Sequence, residues 1–87
     1  MDLDAEHRDT VDQIFARRSS RDVEWRRVRS LLDAVATVTA EDNGKLRVSL
    51  GGETEVLVPP HEKDVDTQML VDLRRMLTSA GITPDSR

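Results

Sequence analysis

The chain has 87 residues, of which 37% are hydrophobic and 34% are charged. That balance fits a single folded domain with a small core and excludes a disordered chain. The absence of cysteine excludes a disulfide framework, and no apolar run approaches the ~20 residues of a membrane span. The acidic start of the chain, MDLDAEHRD, lacks the apolar stretch of a secretory signal. We therefore expect a cytoplasmic protein.

Charge is unevenly distributed along the chain, whose net charge is −4. Residues 1–13 and 53–72 are acidic, whereas residues 17–29 contain six arginines. A dedicated nucleic-acid-binding domain would be basic overall. The basic segment has three candidate contacts, which are RNA, an acidic partner and the acidic parts of the same chain.

The first predicted element is a short amphipathic helix that begins at Thr10 and is capped by Thr10 or Asp9. Val11, Ile14 and Phe15 are its apolar residues, and residues 1–9 are expected to form a frayed tail. We assign residues 1–20 to this tail and short helix, outside the main domain.

A second helix is predicted over residues 23–35, with Asp22 as its N-cap. Five apolar residues fall on one arc at helical spacing; they are Trp25, Val28, Leu31, Leu32 and Val35. Trp25 shares this arc, so we interpret it as a core residue and not as a platform for stacking RNA bases.

Three strands follow, because the spacing of apolar residues changes to two over residues 36–40, 45–50 and 54–58. Asn43-Gly44 and Gly51-Gly52 supply the two hairpin turns. Pro59-Pro60 ends the third strand, since proline donates no hydrogen bond to a sheet.

The last predicted element is a helix with Asp64 or Asp66 as its N-cap and Gly81 just after its end. Val71 falls off its apolar arc. The residues on that arc are Met69, Leu70, Leu73, Met76, Leu77 and Ala80. Residues 83–87 are expected to form a loose tail.

The order predicts an α+β fold, helix–strand–strand–strand–helix with an extra short N-terminal helix. We expect a three-stranded antiparallel sheet with the two main helices on one face. The other face should be open to solvent or a partner and should carry polar side chains. The side chains expected there are Thr37, Thr39, Lys45, Arg47, Ser49, Glu53 and Glu55.

Three stretches of residues 21–82 carry a resemblance to a known family. They are WRRVRSLLDAVATVTAEDNG, VLVPPH and LRRMLTSAGI. Together they resemble the HicA toxins, bacterial RNA-cleaving proteins whose fold is similar to that of the double-stranded-RNA-binding domain. The preceding TVDQIFARRSSRDVEW is similar to the leader of longer members. The resemblance implies a toxin–antitoxin module with a HicB-like antitoxin as partner.

HicA toxins carry a Gly-Ser-His triplet at the first hairpin, in which the histidine serves as the acid or base of RNA cleavage. The matching run here is Gly44-Lys45-Leu46, and a slip of one residue would place Lys45 at the histidine position. Leucine cannot exchange a proton. Lysine has an ordinary pKa of about 10.4, and an exposed hairpin provides little desolvation to lower it. We therefore expect the family's fold without its catalytic residue.

Several residues remain candidates for function. His61 and Lys45 are the weak catalytic candidates, with a polar loop histidine as the alternative interpretation of His61. Four cations are candidates for binding RNA or a partner, namely Arg26, Arg29, Lys45 and Arg47. Their alternative role is to keep a solvated surface charged.

No metal site or cofactor is predicted. The carboxylates at positions 53, 55, 62, 64 and 66 fit no metal-binding pattern, and phosphate-binding and nucleophile motifs are absent. Three hypotheses remain. The first is a non-catalytic HicA-like module that binds RNA weakly or a HicB-like protein, and the second is a ribonuclease with a shifted site. The third is a domain without an RNA role that either binds another protein or associates with itself as a homodimer.

Overall fold

A computed structural model describes residues 4–16 and 23–84 of the chain. It confirms the predicted α+β architecture and its element order. The elements are α1 (Ala5–Phe15), α2 (Trp25–Val35), β1 (Thr37–Ala40), β2 (Leu46–Leu50), β3 (Glu53–Leu57) and α3 (Thr67–Ser79).

Helix α1 begins five residues earlier than predicted. The Asp4 carboxylate accepts a hydrogen bond from the backbone N–H of His7 at 3.0 Å, so Asp4 is the N-cap in place of Thr10 or Asp9. Positions 4–9 contain no large apolar residue, so no helical spacing of apolar side chains indicated this first turn. Thr10 lies inside the helix, where its hydroxyl donates to the carbonyl of Glu6 at 3.1 Å.

Helix α2 begins after Glu24, whose side chain makes no capping hydrogen bond. The predicted cap, Asp22, lies outside the described residues. Only Ala36 separates the end of α2 from the start of β1. The chain therefore reverses direction within one residue, and the start of α2 lies at the end of the sheet where β1 finishes.

The sheet is antiparallel with the strand order β1-β2-β3. Thr39 pairs with Arg47, which in turn pairs with Val56 on β3. Gly44 supplies the backbone of the first turn with a φ of 86°, a conformation that glycine adopts without steric cost. In β2 the buried residues Leu46, Val48 and Leu50 alternate with exposed Arg47 and Ser49, as predicted for a sheet with one covered face.

The alternation in β3 has the opposite phase to the prediction. Glu53 pairs with Leu50 and Glu55 with Val48, so both glutamates lie on the face that the helices cover. Val56 is 48% exposed on the open face, and Leu57 is buried. Glu55 tolerates its position because β3 is an edge strand, where its carboxylate reaches the Arg75 guanidinium of α3 at 2.6 Å.

One apolar core joins the helices to the sheet. Buried residues of all three helices belong to the same cluster as the β2 residues and Leu57, so both main helices pack on one face of the sheet. Asp66 is the cap of α3, with its carboxylate 2.8 Å from the backbone nitrogen of Met69. Val71 is 48% exposed, in agreement with its predicted position off the apolar arc.

Helix α1 packs against both α2 and α3. Val11 and Ile14 are buried in the core. Arg74 of α3 donates to the carbonyl oxygens of Ile14 at 2.6 Å and Ala16 at 3.5 Å. Since α1 has no basic residue in its own last turn, this guanidinium satisfies carbonyl groups that the end of a helix leaves unpaired.

The two ends of the sheet differ in their loops. At one end the Gly51-Gly52 turn lies against the end of α3, and a Cβ built on Gly51 would come within 3.0 Å of the Cβ of Ala80. At the other end lie the turn 41–45, the loop 58–66 and the starts of α2 and α3. We call this second end the hairpin end.

Candidate functional site at the hairpin end

The loop 58–66 is held at the hairpin end by backbone hydrogen bonds. Leu46 pairs with Leu57, so the first turn and this loop leave the sheet side by side. The N–H of Val65 donates to the carbonyl of Val23 at 2.9 Å, and the N–H of Trp25 donates to the carbonyl of Lys63 at 2.8 Å. The loop is therefore fixed to the start of α2.

The tip of the first hairpin provides no imidazole. The side-chain oxygen of Asn43 accepts a hydrogen bond from the backbone N–H of Lys45 at 3.1 Å. The Lys45 side chain itself is exposed. Leu46, which the expected alignment without a slip places at the histidine of the HicA triplet, is only 4% exposed and belongs to the core cluster. An acid or base at position 46 would point into the core and away from any substrate.

His61 borders a cleft of about 460 Å³ at the same end of the sheet as Lys45. The walls combine apolar and acidic side chains; they are Val58, Pro59, Pro60, His61, Glu62, Asp64, Asp66 and Met69. His61 is exposed, and no hydrogen bond to its ring is found among the described residues. The three carboxylates of the cleft disfavour the approach of an RNA phosphate to this imidazole.

The four candidate cations do not form one surface. Arg47 lies on the open face of the sheet, whereas Arg26 and Arg29 lie on α2, which packs on the other face. Arg47 pairs with Glu41 at 2.7 Å and Arg29 pairs with Asp33 at 3.2 Å. Lys45, by contrast, has no ion pair within the described part of the chain.

A cluster of charges around Glu24 was not foreseen from the sequence. Arg26, Arg27 and Lys63 approach the Glu24 carboxylate at 3.7, 3.6 and 3.5 Å. Arg26 and Lys63 are 82% and 75% exposed, so both remain accessible to an anionic partner. Lys63 is far from α2 in sequence and reaches it only because the loop 58–66 is tied to the start of that helix.

Within residues 4–16 and 23–84, no three histidine or acidic side chains come together as ligands of one ion. In the same ranges, none of the helices has both the length and the apolar composition that a membrane crossing requires.

Comparisons with protein-family models, with curated proteins and with solved structures give no match for this chain.

Proposed function

We propose that this chain is a HicA-like module of a toxin–antitoxin pair that binds a HicB-like protein or, weakly, RNA, and does not cleave RNA. The burial of Leu46, which is 4% exposed, supports the absence of cleavage, whereas the HicB-like partner is what the resemblance to the HicA family implies. RNA cleavage by this family's chemistry requires a side chain that exchanges a proton near neutral pH. A core leucine cannot do so.

Binding to RNA is the weaker part of the proposed activity. Arg29 and Arg47 already pair with carboxylates, and the net charge of −4 repels a polyanion at long range. Lys45, Arg26 and Lys63 are the cations best placed for a phosphate, because they are exposed at the hairpin end. Lys45 has no ion pair within the described residues, and Arg26 and Lys63 make only long contacts with Glu24, at 3.7 and 3.5 Å. A contact of this size neutralises few phosphates and should therefore disappear at moderate salt.

The experiment that tests the proposal is a cleavage assay on a single-stranded RNA at low salt with a metal chelator. We expect no more cutting by the wild type than by the His61→Ala and Lys45→Ala variants. Fluorescence anisotropy of the same RNA should show weak binding that Lys45→Ala reduces and that about 0.2 M salt abolishes. Robust cutting by the wild type that either substitution removes would contradict the proposal.

A ribonuclease with a shifted site is the second candidate function. It is favoured by the position of His61, which is exposed beside the cleft and at the same end of the sheet as Lys45. This candidate requires the carboxylates of the cleft to tolerate a phosphate. Substitution of Glu62 by Gln would then accelerate cutting, whereas a non-catalytic module gives no activity in either form.

A further inference from the structure

The outer edge of β1 is an unpaired strand edge. β1 is the first strand in the order β1-β2-β3 and meets only β2 among the strands of the described residues. Thr37, Thr39 and Ala40 are exposed and Val38 is partly buried. An edge of this kind presents backbone N–H and carbonyl groups to any other extended chain.

The two edges of the sheet differ in their protection. β3 carries two carboxylates, Glu53 and Glu55, and is followed by Pro59-Pro60, which donates no hydrogen bonds. The four residues of β1 include no charge, proline or glycine. Natural proteins use such residues to prevent pairing between edges, so β1 lacks the protection that β3 has.

We propose that β1 pairs antiparallel with β1 of a second copy of this chain, across a two-fold axis, to give one continuous sheet. An axis at Val38 places Thr37 opposite Thr39 of the other copy, and an axis at Thr39 places Val38 opposite Ala40. Both registers keep the helices of the two copies on the same face of the sheet. Every pair within the strands is neutral, and threonine pairs across strands are favourable.

The same construction is less favourable at β3. Two copies of β3 with an axis at Thr54 would place Glu53 opposite Glu55, and an axis at Glu55 would oppose two identical glutamates. An axis at Val56 opposes no glutamates, but it places Glu53 opposite Pro59, which donates no hydrogen bond. Like charges directly opposite each other destabilise a strand pair. A second copy of the chain is therefore a suitable occupant for β1 and a poor one for β3, and this inference does not rest on the proposed antitoxin partner.

The interface is small, because β1 has four residues. Interfaces of low area give weak, reversible association, so we expect a dimer with a dissociation constant of about 0.1–1 mM. Pairing is isologous, since the same strand contributes from both copies, and the assembly closes at two.

The test is sedimentation equilibrium of the full chain over a wide concentration range. The double variant Thr37→Glu/Thr39→Glu introduces carboxylates that oppose each other or Glu41 of the other copy in both registers. We expect its dimer dissociation constant to rise at least roughly tenfold. Thr54→Glu/Val56→Glu is the matched control, since it adds the same charge to exposed positions of the same face and Val56 flanks the same Arg47. This control should dimerise like the wild type.

Amide hydrogen exchange of the wild type provides a measurement that needs no variant. At high concentration the alternate amides of residues 37–40 that point away from β2 should gain protection, whereas those of residues 53–57 should not change. A wild type that stays monomeric at about 1 mM would overturn the proposal. Equal weakening by both double variants, or protection gained at β3, would overturn it as well.

Discussion

Leu46 lies between the exposed tip of the first hairpin and the core, with 4% of its surface accessible. The alternation of β2 predicted its burial from sequence, because Val48 and Leu50 share its side of the strand.

Replacement of Leu46 should lower the stability of the fold, because the side chain is a core residue and does not face a substrate. Leu46→Ala removes buried methyl groups and leaves a cavity, so we expect the free energy of unfolding to fall by about 2–4 kcal/mol. Urea denaturation followed by circular dichroism measures this loss. Lys45→Ala, at the exposed neighbouring position, should leave the midpoint nearly unchanged, and an equal loss in both variants would contradict the burial of Leu46.

Three ion pairs of the structure differ in how easily their partners can be predicted from the sequence. Arg29 and Asp33 are four residues apart on a helix, a spacing that brings side chains together. Arg47 meets Glu41 only because the turn 41–45 folds back on itself. Lys63 meets Glu24 through the tertiary fold. The sequence therefore indicated Arg29 and Arg47 as candidate cations, but it indicated neither Lys63 nor the folded geometry that forms the pairs of Arg47 and Lys63.

Among the elements, α1 and β3 were the least predictable. The first turn of α1 is polar, so only the Asp4 cap reveals it, and a single aspartate is a weak signal. In β3, Val56 and Val58 suggested the buried phase, yet both are exposed. The register with β2 decides the phase, and Leu57 lies opposite Leu46. Hydrophobicity within one short edge strand does not contain that information.

The attachment of α1 depends on a residue of another helix. Arg74→Met removes the donor to the Ile14 carbonyl at 2.6 Å and leaves a partly buried acceptor unpaired, so we expect a loss of about 1–2 kcal/mol. Amide exchange in α1 should accelerate more than exchange in the sheet. Arg75→Met is the control, because the Arg75 side chain is 61% exposed in its pair with Glu55 and surface pairs of this kind contribute about 0–1 kcal/mol. Faster exchange in α1 after Arg75→Met would count against this role of Arg74.

At the scale of the whole molecule, the boundary of the domain can be tested. The sequence predicts that residues 21–82 form the domain, but α1 contributes Val11 and Ile14 to the core. Burial of each such side chain stabilises a fold by about 1.5–3 kcal/mol, a large part of the stability of a chain this small.

We therefore expect a fragment of residues 21–82 to unfold at a much lower temperature than the full chain, or to be largely unfolded. Thermal denaturation by circular dichroism provides the comparison, and full-length Ile14→Ala should give an intermediate melting temperature. A fragment as stable as the full chain would show that α1 is an appendage to an independent domain.

The contact between Arg74 and Ile14 joins positions 60 residues apart, and it has a consequence during synthesis on the ribosome. Helix α1 is made first, but part of the surface that receives it belongs to α3, the last element in chain order. The part of the α1 surface that α3 covers therefore stays exposed until the end of α3 has been translated, even where α2 already packs against α1.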